Sequence, residues 1–248
     1  MRMAEYLTDR GNWLFRWRSF TPLLLVPLLW LEKGAFHYPM GSHDWDLAYE
    51  FTCFTVALAG LLVRVKTIGH VPKGTSGRNS KSQKASVLNT TGMYSAVRNP
   101  LYLGNCLVLL GITLMTQSWE LVLINSLLFA LAYLPIILRE EEFLMEQFGR
   151  AYQEYAASVP CLIPKLNLWR APDLPFNLRT VLRREHDTWI STVAAFVFLE
   201  YLREYVISQE LAIDWPWTLL GASGVVIWLI LKMLKKHTTL LVEQLPHC

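Results

Sequence analysis

Long apolar runs broken by short polar stretches dominate this chain. Six of them, at roughly 20–36, 45–63, 101–118, 119–138, 188–207 and 215–234, approach the ~20 residues that an α-helix needs to cross a bilayer. The first has the shortest clean run, because Glu32 and Lys33 close it. The third and fourth join at Gln117-Ser118-Trp119, a turn so short that the two helices must form an antiparallel hairpin. From Arg139 to Ala157 the pattern changes. Leu144, Phe148, Ala151, Tyr152 and Tyr155 recur at three- and four-residue spacing among Glu and Gln, which predicts an amphipathic helix continuing the fourth span. Pro160 and Pro164 end it. His70–Lys84, rich in Gly, Ser, Asn and Lys, reads as a loop, and Pro100 stands where a helix's first turn tolerates proline. The expectation is an all-α integral membrane protein of about six transmembrane helices. It forms one polytopic domain over 1–248, with a core at about 45–165 and a two-helix extension at about 180–240.

Composition supports a membrane class. Of 248 residues, 53% are hydrophobic and 17% charged, against roughly a quarter charged in soluble domains. A net charge of +3 gives no case for nucleic-acid binding. The placement of charge says more than its sum. Apart from Lys33 and Arg203, which fall within spans, every Lys and Arg lies on one side of the six-span map. By the positive-inside rule both termini are cytoplasmic, and a bacterial inner membrane is the expected location. The start does not read as a signal peptide, since its charged segment is too long and no small-residue cleavage site follows. Cys53, Cys106, Cys161 and Cys248 have no paired spacing, so disulfides are not expected. The histidines show no metal-ligand spacing, so no metal is expected either.

The chemistry concentrates in two blocks about forty positions apart. One runs Gly92-Met93-Tyr94 and then Arg98-Asn99-Pro100-Leu101-Tyr102-Leu103-Gly104. The other runs Glu140-Glu141, Leu144, Phe148-Gly149, Tyr152, Tyr155 and Val159-Pro160. A carboxylate pair beside bilayer-length apolar segments is expensive to keep and marks a functional site by default. Each piece alone has a plainer reading: a solvated Glu pair, a positively charged helix flank, interfacial tyrosines. Together the hairpin returns Arg98, at one of its mouths, to Glu140 and Glu141 at the other.

Over residues 92–160 the set resembles the isoprenylcysteine carboxyl methyltransferase superfamily, which includes phospholipid N-methyltransferases. The resemblance implies S-adenosylmethionine as cofactor, in a pocket lined by Tyr94, Asn99, Pro100, Leu101, Tyr102 and Glu140. Ser86, Val87, Leu88 and Asn89 would contact it mainly through backbone. Such a cofactor wants carboxylates for its ammonium (Glu140 or Glu141), an Arg for its carboxylate (Arg98), and an aromatic wall (Tyr94 or Tyr102). Arg98, Arg139 and Glu141 are the candidate catalytic residues, and Arg139, Arg183 and Arg184 the candidate contacts to substrate.

Two departures bear on the acceptor. The family's usual His is Asn99 here, which does not titrate. The Arg that prenylcysteine members carry four residues before the first Glu is Ile136, which counts against a prenylcysteine carboxylate. Methyl transfer to an anion needs alignment and desolvation more than a base, and the motif holds no His, Cys or Ser–His pair to act as one. An anionic headgroup on a membrane lipid or lipidated substrate is the expected partner. A phospholipid amine or a small thiol are the other acceptors. An NADPH-dependent sterol-type membrane reductase and a non-enzymatic membrane adaptor are the rival classes.

Overall fold

The computed structural model describes residues 43–72, 85–210 and 213–241, and among these it is helical, with no strand. The helices are α1 (His43–Gly69), α2 (Met93–Ala96), α3 (Pro100–Leu114), α4 (Trp119–Phe148), α5 (Arg150–Ser158), α6 (Leu178–Ser208) and α7 (Trp215–His237). By length and composition α1, α4 and α7 are able to cross a membrane. The expected third span shortens to α3, whose 15 residues reach about 22 Å against a hydrocarbon core of ~30 Å. The expected fifth span lies in α6, which is long enough but carries Glu185, Asp187, Glu200, Arg203 and Glu204. The run at 20–36 lies outside the described residues, so the all-α membrane class holds while the count of six is not confirmed.

The turn at 115–118 forms as expected, with Gln117 in the left-handed region and the Ser118 hydroxyl accepting from Leu121 N at 3.2 Å. α1 packs antiparallel to α3 at unusually close range. A Cβ on Gly104 would meet the Cγ of Arg64 at 2.5 Å and the carbonyl of Gly60 at 2.8 Å. Only glycine lets the two backbones approach this closely there. The expected continuous helix from the fourth span to Ala157 breaks at Gly149, whose φ of 51° ends α4 and starts α5. That backbone angle is cheap only for glycine.

α6 runs antiparallel to α1, and each end of the pair is tied by charge. At the end shared with the hairpin turn, Arg203 donates to Asp46 at 2.9 Å, to Glu200 at 2.5 Å and to Glu50. The Trp217 indole donates to Glu50 at 2.8 Å. All four charged groups are buried, and breaking such a group by removing one partner typically costs ~3–5 kcal/mol. Beside it Phe196 stacks on Trp217 at 5.8 Å, in a core with Cys53, Ala57, Met115 and Leu199. At the opposite end Arg64 pairs bidentately with buried Glu185, at 2.6 and 2.8 Å. Its third arm reaches Asn105 Oδ1 at 2.5 Å and the Leu101 carbonyl at 3.5 Å.

Candidate active site

The open mouth of the α3–α4 hairpin brings the two sequence blocks together. Arg98 ends the segment before α3 and grips Glu141 of α4 through two parallel bonds, Nε to Oε1 at 3.0 Å and Nη2 to Oε2 at 3.1 Å. Its Nη1 donates to the carbonyls of Ala156 and Val159, at 2.6 and 3.2 Å. A cation on the last carbonyls of α5 satisfies groups that a helix end leaves without partners. Four of the five N–H groups of a guanidinium are thus engaged by this protein's own atoms. Burial opposes the charge on Arg98, but Glu141 more than offsets it and holds the guanidinium above its ordinary value.

Asn99 occupies the N-cap position of α3, where an Asn side chain ordinarily accepts from the first turn. Here it makes no such cap. Its Nδ2 donates instead to Glu141 Oε1 at 3.0 Å and to the Cys161 carbonyl at 3.3 Å. Pro100 follows at the first helical turn, where its missing N–H costs nothing. One turn on, the Tyr102 hydroxyl donates to Glu140 Oε1 at 2.8 Å, and the Tyr102 ring meets Tyr133 edge-on at 5.5 Å. The adjacent glutamates therefore point to different partners: Glu141 to Arg98 and Asn99, Glu140 to Tyr102.

α5 closes the site. The Tyr155 hydroxyl donates to the Tyr94 carbonyl at 2.8 Å, and buried Tyr152 lies beside Tyr155 at 6.0 Å. Burial, reinforced by Glu141, pushes the Tyr152 and Cys161 hydrogens to higher pKa; burial does the same for Tyr155. These groups are therefore neutral near pH 7.

The remaining expected residues are spread wider. Ser86–Asn89 form the partly exposed bend that leads to Gly92. Arg139 pairs with Glu142 at 2.6 Å on α4. Arg183 and Arg184 are half-buried on α6, and Arg183 reaches the Leu241 carbonyl at 3.5 Å. Among the described residues no group of three or more His, Cys, Asp or Glu is arranged to hold a metal ion.

Sequence reasoning missed Cys161 and the Arg64–Glu185 pair. Arg64 reads as one more basic flank, and Glu185 as a lone acid among arginines. Asp46 and Glu50 did carry a signal, two acids at i, i+4 inside an apolar run.

Residues 52–151 match the model of the phospholipid methyltransferase family. The chain is 32% identical over 158 residues to the nickel-cobalt-cadmium resistance protein NccN of Alcaligenes xylosoxydans xylosoxydans, covering 62% of this chain and 66% of that protein. To the cobalt-zinc-cadmium resistance protein CzcN of Cupriavidus metallidurans it is 33% identical over 156 residues, covering 62% and 64%. It therefore spans a little under two thirds of both relatives. A protein-S-isoprenylcysteine O-methyltransferase of Schizosaccharomyces pombe is 34% identical over 85 residues, 34% of this chain and 36% of that one. No solved structure matches significantly.

Proposed function

We propose that this chain, whose residues 52–151 match the phospholipid methyltransferase family, is a membrane-embedded S-adenosylmethionine-dependent methyltransferase acting on an anionic headgroup. The observation that carries the reading is the meeting of Asn99–Tyr102 with Glu140 and Glu141 at one hairpin mouth. The residues fit the cofactor. Tyr94 and Tyr102 offer aromatic faces, Glu140 offers a carboxylate for the ammonium, and the remaining Arg98 N–H offers a donor for the carboxylate. When bound, the cofactor supplies an electrophilic methyl on a sulfonium.

The protein's part is to orient. Tyr102 fixes the Glu140 rotamer, and Arg98 with Asn99 fixes Glu141, so that neither carboxylate must reorganise when a cation arrives. Cys161, Tyr152 and Tyr155 hold their protons near pH 7, so they are poor bases. A site whose two carboxylates are already engaged by Tyr102, Arg98 and Asn99 suits an acceptor that is already an anion, a phosphate or carboxylate, rather than an amine or thiol. Arg139, Arg183 and Arg184 are the candidate counter-charges for such a headgroup.

Two of the relatives are named for resistance to divalent metals. A headgroup phosphate that gains a methyl loses a negative charge and a hard oxygen ligand, so its surface retains fewer cations. The same chemistry in this chain connects a lipid methyltransferase to metal tolerance through the charge of the membrane surface.

The direct test is mass spectrometry of lipids from cells with and without the protein, seeking the gain of one methylene mass. Glu140→Gln should weaken S-adenosylmethionine binding by roughly tenfold to a hundredfold, the loss of one charge-assisted contact. Unchanged affinity by calorimetry in detergent removes the assignment. The rate on an anionic acceptor should stay nearly flat between about pH 6 and 9, whereas an amine or thiol acceptor gives a rate climbing with pH up to its own pKa.

A further inference from the structure

The segment between α5 and α6 is held rigidly yet exposes its large apolar side chains. Residues 160–177 run back along residues 92–99. Arg98 N donates to the Pro160 carbonyl at 2.9 Å, Lys165 N to the Ala96 carbonyl at 2.9 Å, and Gly92 N to the Arg170 carbonyl at 3.0 Å. Arg170 N donates to Ser95 Oγ at 2.8 Å, and Asn177 N to the Gly69 carbonyl at 2.8 Å. With its backbone fastened this way, Ile163 is 81% exposed and Leu166 74%, and Trp169, Leu174 and Leu178 are exposed beside them. An exposed apolar set of this size marks an interaction surface.

Two observations say what covers it. At its start Leu162 packs on the cluster of Tyr102, Tyr133, Ile136 and Ile137, inside the apolar stretch of α4. Leu131, Leu134 and Leu138 of that same stretch are exposed, as lipid-facing side chains are. The exposed face beginning at Ile163 is thus continuous with the lipid-facing surface of a spanning helix. Along it Lys165, Arg170 and Arg179 are exposed and alternate with the apolar residues. That alternation suits side chains dipping into acyl chains while cations stay at anionic headgroups, and the amphipathic ring of Trp169 suits the same boundary.

We propose that residues 162–178 form a strap embedded in the headgroup–acyl boundary of the leaflet on the Lys/Arg-rich side. Its partner is the lipid bilayer, not a second protein. Resting on the functional reading above, the strap also delivers the acceptor. The two residues just before it, Pro160 and Cys161, accept from Arg98 N and Asn99 N, so a lipid lying against Ile163 and Leu166 carries its headgroup to the mouth of the hairpin.

The test places a nitroxide at residue 163 or 166 (Ile163→Cys or Leu166→Cys) and at exposed Arg150 (Arg150→Cys) in the full chain. The chain is held in nanodiscs of phosphatidylethanolamine and phosphatidylglycerol, and the signal of the unsubstituted chain is subtracted. An embedded strap gives a higher ratio of oxygen to nickel-chelate collision at 163 and 166 than at 150. A ratio at or below that of 150 means a strap in water, and shielding from both reagents means a protein partner; either overturns the proposal. For delivery, Ile163→Glu with Leu166→Glu should raise the apparent KM for vesicle-borne lipid by about tenfold or more, with cofactor affinity unchanged. An unchanged KM overturns delivery. If the double variant loses cofactor affinity, Ile163→Ser with Leu166→Ser carries the same comparison. An embedded strap in a chain that transfers no methyl group removes the functional reading and leaves the strap.

Discussion

Two adjacent glutamates, alike in sequence, separate into different tasks because their neighbours differ. Glu141 is held by Arg98 and Asn99, and Glu140 by a tyrosine hydroxyl. Glu141→Gln keeps the shape but breaks a bidentate ion pair, so it should lower unfolding free energy by about 1–3 kcal/mol in denaturant titrations. Glu140→Gln, by contrast, is expected to act on cofactor affinity with little change in stability. Cys161 offers a test by pH. Its thiol is pushed above the ordinary value by burial and then by Glu141, so it stays protonated through neutral pH and alkylates slowly. Its reaction with iodoacetamide, followed by peptide mass spectrometry, should accelerate only above the range where an exposed thiol already reacts. Because the folded value is raised, stability from this group is full below the ordinary thiol range and falls as pH rises through the raised one. The pairing of the two blocks was legible in their spacing and in the short turn between them. The division between Glu140 and Glu141 was not, because it depends on Asn99 leaving its cap position for a side chain forty-two residues away.

Among the helices, the pair Arg64–Glu185 shows how the C-terminal extension completes the core. Arg64 leaves α1, passes over Gly104, and holds the first turns of α3 through Asn105 and Leu101, while Glu185 of α6 fixes its other edge. Leu101 and Tyr102 belong to the candidate cofactor wall, so α6 acts on that wall from outside the segment that matches the family. Arg64→Ala and Glu185→Ala should each destabilise by about 3–5 kcal/mol, and the double variant by much less than their sum. A double-mutant cycle in mild detergent measures this, and additive losses would show that the two side chains act separately. The helix α6 starts at Leu178, ten residues before the span expected from the apolar run. Its buried face carries Thr180, Glu185, Glu200 and Arg203, and polar residues on the inner face hide a helix from any hydrophobic pattern. The break at Gly149 was hidden for the opposite reason, since the amphipathic spacing continues across it.

For the whole molecule, the two ends of the bundle balance charge differently. Arg64 and Arg98 each meet one glutamate near the hairpin mouth, while Asp46, Glu50 and Glu200 surround a single Arg203 at the turn end. If the mouth is cytoplasmic, a Cys label at Gln209 should react with an impermeant reagent from outside intact cells, and one at Arg150 only after lysis. The reverse pattern would invert the orientation. The buried arginine has a further consequence, for biosynthesis. Residues 178–208 are too polar to leave the translocon for lipid unaided, and two of the three carboxylates that neutralise Arg203, those of Asp46 and Glu50, sit on a helix made some hundred and fifty residues earlier. The nascent α6 therefore has to wait beside α1 until the two insert as a unit. Cut between residues 78 and 79, the second fragment should be degraded when made alone and should reach the membrane when the first is supplied beside it.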